Sequence, residues 1–400
     1  MSDKNSKPNR GKRICWVSFL VLDKDLHKTS QIEILKSLAE RGHKTTLFGI
    51  YSKEKFKSPV ENVRIFAVPM RYLSFLTALM YTFLLTIYLP FYLAFSKTDF
   101  VIVEPQSPVF LSTIAMRLFP KSVRPKIVLD IRSTPVDIAK SNTLFFDIGV
   151  SVGKKISDGI TIITPMMRTE VCNHFQISPS CVGVWPSGVS TIFNPEKYDS
   201  VALRKAAGLH NKFVVLYHGS LGISSENSRS RGIVQSIESI KELKNKYPDV
   251  ILYLLGNISA FPKLNKLILD LGVQDRVILH DEVAYEEVPK YIAMCDVGLV
   301  PIPDLAIWRN QCPLKLIEYA SMGKVLIATD IPAHRYVLGT CKSVFFIPSS
   351  TPDEIAKAIS YVHDNFEKLA IFGADERALI EKKYSWRQVA ADFETYFLSL

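Results

Sequence analysis

Lys315 and Glu318 lie three residues apart in the stretch WRNQCPLKLIEYASMGKVLIATD, which runs from Trp308 to Asp330. Within it Pro313 and Leu314 open a pattern in which Leu314, Ile317 and Met322 alternate with polar positions, Gly323 stops it, and the apolar run VLIAT follows. That pattern predicts a loop, a helix, a tight turn and a buried strand. A helix start offers unpaired N–H groups and the positive end of the dipole to an anion. Lys315, in the first turn, adds a charge beside the same anion, and Glu318 can accept hydrogen bonds from a sugar diol. Phosphate next to hydroxyls is the chemistry of a nucleotide. The same spacing also suits an ordinary solvated Lys–Glu pair, with Gly323 as a plain helix stop. A second cation, Arg231, precedes Gly232 and the helix-forming run IVQSIESIKELKNKY. Its guanidinium is permanently charged and binds two oxygens at once, which suits a diphosphate.

The elements that must position these residues read as alternating strands and helices. Ile14 to Leu22 is a buried parallel strand, QIEILKSLAERG a helix stopped at Gly42, and HKTTLF the next strand, the opening of a doubly wound sheet. Thr29 or Ser30 caps that helix. DFVIVE and KIVLDIRS continue the sheet, with a turn at Pro105 to Pro108 and a helix over FLSTIAMRLF between them, and SDGITIITPMMRTEV adds strand, Thr164 turn and helix. Ligands collect at the carboxyl ends of such strands, which brings Glu104, Asp130 and Arg132 forward; each is equally a cap or an ion-pair residue. A second set begins at FVVLYHGSLG, where His218 reads as a strand-end residue, and continues through VILYLLGN, DRVILHDEV and VGLVPIPD.

The Trp308–Asp330 segment resembles the donor-binding motif of the family 4 glycosyltransferases, which have the GT-B fold. That motif is a Glu, seven residues, a second Glu, then Ala, a small residue, Gly, Lys, Pro and Val. Glu318 matches the second Glu, and Ala320, Gly323, Lys324 and Val325 match the run that follows; Asn310 stands where the first Glu would be. The resemblance implies that Glu318 holds the ribose hydroxyls, and the change at Asn310 bears on the donor sugar. Gly219 matches a glycine that the family follows with Arg, here Ser220, and Arg231 matches a later cation flanking the donor diphosphate, with Arg229 as a substitute for the first. By the same resemblance the strand ending at Gly256 and the loop around Val283 hold the base. Pro186 to Ser190 resembles the family's Pro-Asn-Gly-Val-Asp, and YSWRQVAADFETYFLSL a terminal helix that returns to the first domain.

A chain of 400 residues with 48% hydrophobic and 22% charged content is globular and long enough for two cores. Its net charge of +10 favours anionic partners. Nucleic acid is set aside, because no zinc-finger spacing, RNA-binding signature or long basic helix occurs. Six cysteines without a CxxC pair point to free thiols in a reducing compartment. The first dozen residues are polar and basic, without the apolar core of a signal peptide. Tyr72 to Ser96 carries no charge and is long enough to cross a bilayer. A strand of the same sheet follows directly, so a crossing is rejected in favour of a helix lying in the interface, the alternative being a buried core helix.

These readings give an α/β protein of two Rossmann-like doubly wound domains facing a central cleft, the GT-B arrangement. The expected division is a disordered basic tail over 1–12, an acceptor-side domain over 13–192 with the membrane-associating segment 72–96, a nucleotide-sugar-binding domain over 193–383, and a returning helix over 384–400. The activity the resemblance implies is retaining, metal-independent transfer of a sugar from a nucleotide-sugar to a lipid-linked or cell-envelope glycan acceptor, at the cytoplasmic face of a membrane, without a cofactor. Asp130, Arg231 and Lys315 are the catalytic candidates, and Gly219, Arg231, Gly256, Val283, Asn310, Pro313, Leu314, Lys315 and Glu318 the donor-binding ones. The rivals are a nucleotide-sugar epimerase on the same architecture and an inactive membrane-associated subunit.

Overall fold

A computed structural model describes residues 11–22, 28–51, 62–70, 75–105, 108–135, 140–221 and 231–400. Most of the basic tail, the start of the apolar run at Tyr72 and the candidate Arg229 lie outside these residues. The chain forms two compact units, one of residues 1–186 with 386–400 and one of Ser187–Ser385.

The first unit is built on a seven-stranded parallel sheet. In chain order its strands are β1 (Arg13–Val21), β2 (Lys44–Tyr51), β3 (Val63–Pro69), β4 (Phe100–Val103), β5 (Lys126–Ile131), β6 (Gly159–Ile162) and β7 (Val182–Val184), and their spatial order is β3-β2-β1-β4-β5-β6-β7. All four residues in each of β4 and β6 are buried, as a sheet covered by helices requires. β3 escaped the sequence reading because it is an edge strand of mixed burial ending in Pro69. The helix Lys140–Ile156 was likewise not anticipated, and FLSTIAMRLF folds as a 3₁₀ segment, Pro108–Leu118, where a helix was expected.

The terminal helix Trp386–Ser399 belongs to this unit although it is last in sequence. Phe393 packs on Trp185 and Phe397 on Phe100, with ring centroids 4.9 and 4.8 Å apart. Glu394 pairs with His43 at 2.8 Å and with Arg41, and the Tyr396 hydroxyl donates to the Ile160 carbonyl at 2.8 Å.

The second unit carries a six-stranded parallel sheet of β8 (Phe213–His218), β9 (Val250–Leu255), β10 (Val277–His280), β11 (Val297–Val300), β12 (Val325–Thr329) and β13 (Val344–Ile347), in the order β10-β9-β8-β11-β12-β13. Every residue of β8, β9, β11 and β12 is buried. The chain starts at β8, winds outward to β10, then returns to β11 beside β8. That reversal is a topological switch point, where open α/β sheets leave a crevice at the carboxyl ends of their strands. The boundary differs from the expected one: Val189 bridges Ser385 and donates its N–H to the Tyr384 carbonyl at 2.8 Å, so the segment from Ser187 onward belongs to the second unit and does not close the first.

Candidate active site

Pro313 is the N-cap of the helix Leu314–Ser321, one position earlier than the sequence reading placed it. It brings no capping side chain to the first N–H groups of that helix, of which that of Leu316 donates to the Pro313 carbonyl at 3.2 Å. Gly323, at φ 64°, ends the turn that follows, and β12 begins two residues later. A second uncapped start lies in the same unit: the helix Ile233–Leu243 begins at Gly232, whose φ is 74° and whose missing Cβ would strike the Pro301 carbonyl just beyond β11. Only glycine fits there.

Lys315 and Glu318 are not a solvated surface pair. They are 9% and 3% exposed. The Lys315 ammonium lies 3.8 Å from the centre of the Tyr217 ring, and a Cβ built on Gly219 would come within 3.2 Å of its Nζ. Arg231 rests on the Trp308 ring, 4.7 Å from its centre. Burial pulls the Lys315 pKa well below the usual lysine range, Arg231 pushes it the same way, and Glu318 opposes both. Glu318 moves in the other direction, from 4.5 to about 7, because burial outweighs the opposing pulls of Lys315 and the Tyr285 hydroxyl. The two cations repel each other, and the one buried carboxyl is held near neutrality. An added anion would relieve that repulsion.

His218 is the residue the sequence undervalued. It does end β8, but its Nε2 sits 3.3 Å from a Glu318 carboxyl oxygen and its ring meets Tyr319 edge-on at 5.0 Å. Burial and Lys315 push its pKa down to about 3, so the contact is between a neutral imidazole and Glu318 and is not an ion pair. Tyr319 is fixed in turn by its hydroxyl, which donates to the Leu216 carbonyl at 2.7 Å, and by the absence of a Cβ on Gly298, which would lie 2.5 Å from the ring. Tyr217, Trp308 and Tyr285 also join the site without having been foreseen; none of them adjoins Arg231 or Lys315 in the sequence, so no local signal marked them.

The other donor-side candidates fall around this core. Gly219 follows β8 at φ 114° and its N–H donates to the Leu255 carbonyl at 2.9 Å, while a side chain on Gly256 would strike Gly219 and Leu221. Asn310 caps the short helix Ala306–Arg309, and Leu314 opens the helix that carries Lys315. Val283, half-buried, lies between β10 and the turn that carries Tyr285. A cavity of about 170 Å³ in the same unit is lined by Arg204, Asp296 and Lys324 at the opposite, amino-terminal ends of β11 and β12. Its cations are already engaged, Arg204 with Asp296 at 2.9 Å and Lys324 with the Ala293 and Cys295 carbonyls.

Asp130 belongs to the first unit. It is 0% exposed, and one of its oxygens accepts from the Thr161 hydroxyl at 2.6 Å and from the Trp185 indole at 2.9 Å. Arg132 lies over the Trp185 ring at 3.6 Å, 4.0 Å from the second carboxylate oxygen. Burial raises the Asp130 pKa to about 7 against the pull of Arg132. Its place at the end of a strand made Asp130 a candidate for acceptor-side positioning or proton handling; in the structure it is a hydrogen-bond centre that links β5 to β6 and to Trp185 just beyond β7. Glu104, at the end of β4, accepts from Trp16 and Gln31. Among the described residues no three His, Cys, Asp or Glu side chains gather as metal ligands would.

Residues 204–378 match the family described as glycosyl transferases group 1. Among curated proteins, the chain is 24% identical over 183 residues to the alpha-D-kanosaminyltransferase of Streptomyces kanamyceticus, covering 46% of this chain and 45% of that one. It is 22% identical over 247 residues to a GDP-mannose-dependent alpha-(1-6)-phosphatidylinositol monomannoside mannosyltransferase of Mycobacterium tuberculosis, covering 60% and 62%. The matches thus span about half to three-fifths of these relatives. Among solved structures, Anabaena HepE in complex with UDP superposes with a TM-score of 0.73 at 15% identity, over 97% of this chain and all of that one. The fold is GT-B. Within this GT-B chain, Arg231, Lys315 and Glu318 all fall in the segment that matches the group 1 family.

Proposed function

We propose that the protein is a glycosyltransferase that moves a sugar from a nucleotide-sugar to a lipid-linked or cell-envelope acceptor, with retention of configuration and without a metal ion or cofactor. One observation carries this reading. Two cations, Arg231 and Lys315, are held against aromatic faces beside two uncapped helix starts, with the Glu318 carboxyl a turn away. When the bond between the sugar's anomeric carbon and the diphosphate breaks and the bond to the acceptor oxygen forms, negative charge collects on the departing diphosphate. Fixed cations and helix N–H groups aimed at that charge stabilise it without reorganising. The acceptor's proton leaves with the diphosphate or with solvent. Glu318 orients the ribose through its hydroxyls, and Gly219 and Gly256 let backbone approach the donor closely.

Support for the donor class comes from relatives that use nucleotide-linked sugars and from a structural neighbour that binds UDP. A phosphatidylinositol mannoside is the acceptor in one relative's name, which agrees with an acceptor held in a membrane. The protein then works at the cytoplasmic face as a peripheral or monotopic enzyme, a place the apolar helix Phe75–Ser96 also favours.

The deciding experiment is a thermal-shift panel of nucleoside diphosphates and nucleotide-sugars, followed by product analysis with the donor that binds. A ligand present at 100 times its Kd adds about 2.7 kcal/mol to stability. Slow donor hydrolysis that releases a sugar of unchanged anomeric configuration supports a retaining transferase. A changed sugar still attached to the nucleotide would show an epimerase, and no binding in the whole panel would leave the scaffold reading.

A further inference from the structure

The helix Phe75–Ser96 has two faces of unlike fate. Ala78, Tyr81, Leu85, Leu89 and Leu93, spaced at helical intervals, are buried against the first unit. Tyr92 continues that contact, its ring 5.0 Å from Phe66 and 5.1 Å from Phe48. The opposite face is apolar too, and open: Phe83, Phe91 and Phe95 are 66, 63 and 85% exposed, in company with Leu79, Ile87 and Tyr88. The hydroxyls of Thr82 and Thr86 are turned back onto carbonyls four residues earlier, at 2.7 and 2.8 Å, so they ask nothing of the surroundings. The 3₁₀ segment Pro108–Leu118 packs beside this helix and exposes Leu111, Ile114 and Leu118, with Phe119 and Val123 just beyond. Apolar area on this scale, on two adjacent elements, marks an interaction surface.

Its charge says what it meets. Backbone hydrogen bonds from Asp99 to Arg13 and from Lys126 to Asp99 tie together the starts of β1, β4 and β5 at one end of the sheet. The apolar helix ends there at Ser96, just before Lys97, and the chain after Leu118 passes Lys121 on its way to Lys126, the first residue of β5. Nearby Asp158 is taken by Arg117 and Arg124, each at 3.3 Å. Lys97, Lys121 and Lys126 are exposed and have no acidic partner among the described residues. A second copy of the chain would bring the same three lysines and no anion. A bilayer with acidic lipids supplies both the apolar layer and the negative charge.

We propose that this face seats the protein in one leaflet of a bilayer containing acidic lipids, with the helix Phe75–Ser96 lying along the interface and not across it. The helix is long and apolar enough to span, but β3 before it and β4 after it belong to one sheet, and its buried stripe is fixed to that sheet. The proposal shares with the preceding section only the membrane location and does not depend on the nucleotide site.

The test is sedimentation of the full chain with vesicles of phosphatidylcholine alone or with one-third phosphatidylglycerol. Binding to the acidic vesicles should exceed binding to the neutral ones more than about tenfold at low salt, since each lysine near an anionic surface contributes roughly fivefold. Phe83→Glu with Phe91→Glu should abolish the binding while leaving circular dichroism and Tm unchanged, because both side chains are exposed. Lys97→Glu, Lys121→Glu and Lys126→Glu together should remove the lipid preference. Orientation is read from Leu76→Trp and Phe95→Trp, one at a time, by quenching with lipids brominated at a shallow carbon. The four native tryptophans are at most 5% exposed and give little background. Equal quenching at the two ends places the helix in the plane; unequal depths overturn that placement. Absence of vesicle binding, or a lipid-free dimer that Phe83→Glu with Phe91→Glu dissociates, overturns the docking proposal and leaves the transferase reading standing. Vesicle binding in a protein that binds no nucleotide sinks the transferase reading alone.

Discussion

Replacing Glu318 with glutamine should stabilise the ligand-free protein above neutral pH and at the same time weaken nucleotide binding. Glu318 is 3% exposed, and its pKa is raised from 4.5 to about 7 chiefly by burial. A rise of that size corresponds to roughly 3 kcal/mol of preference for the neutral form. The sign follows from linkage. Below pH 4.5 the carboxyl is neutral in both folded and unfolded chains and imposes no cost; between 4.5 and about 7 the unfolded chain ionises first and stability falls; above 7 the loss is complete. The amide of the Glu318→Gln variant does not titrate. That variant should therefore match the wild type near pH 4.5 and exceed it by about 3 kcal/mol at pH 8, or roughly 6–12 °C in Tm for a unit of this size. Its affinity for a nucleoside diphosphate should drop about 10- to 100-fold, the worth of a hydrogen bond to a charged acceptor. Thermal melts at pH 4.5, 6 and 8, with calorimetric titration at pH 8, check both halves. A variant less stable than wild type at pH 8, or a difference that does not change with pH, would refute the account of Glu318 as a carboxyl buried against its own interest.

Arg231→Ala should cost a comparable 10- to 100-fold in diphosphate affinity, measured by the same titration, with little change in Tm, because its guanidinium rests on the Trp308 ring. Trp308→Leu, which removes the ring beneath Arg231, should weaken binding by a few-fold to about 30-fold, while Trp308→Phe recovers most of it. Gly298→Ala should displace the Tyr319 ring that lies 2.5 Å from the added Cβ, lowering Tm and nucleotide affinity together. Asp130→Ala should behave oppositely to the donor-site variants: it strands the Thr161 and Trp185 donors, costing about 2–4 kcal/mol in a denaturant melt, and leaves the nucleotide Kd unchanged.

Much of the second unit could be read before folding it. Apolar runs of strand length separated by helical periodicity gave β8 to β12 in order, and Pro313 and Gly323 bracketed the signature helix to within a residue. The first unit was less legible. β3 is an edge strand whose mixed burial hides its period, and the 3₁₀ turns of Pro108–Leu118 mimic a helical pattern of apolar residues. Asp130 shows the same difficulty from the other side. A carboxylate at a strand end reads alike whether it faces solvent or closes a hydrogen-bond centre, and only Thr161 and Trp185, brought in from β6 and from just beyond β7, distinguish the two.

By itself the sequence determined the alternation of strand and helix and the types of charge available, because hydrophobic periodicity and glycine, proline and cap positions act over a few residues at a time. Which charges are buried, and which of them share a site, was decided by tertiary structure. Lys315 and Glu318 pass for a solvated pair until β8 and the turn that carries Tyr285 close over them. His218 becomes a neighbour of Glu318 only because β11 returns to lie beside β8. Burial depends on what the rest of the chain brings to a place, and the pKa of a group depends on burial, so the electrostatics of this site exist only in the folded sheet.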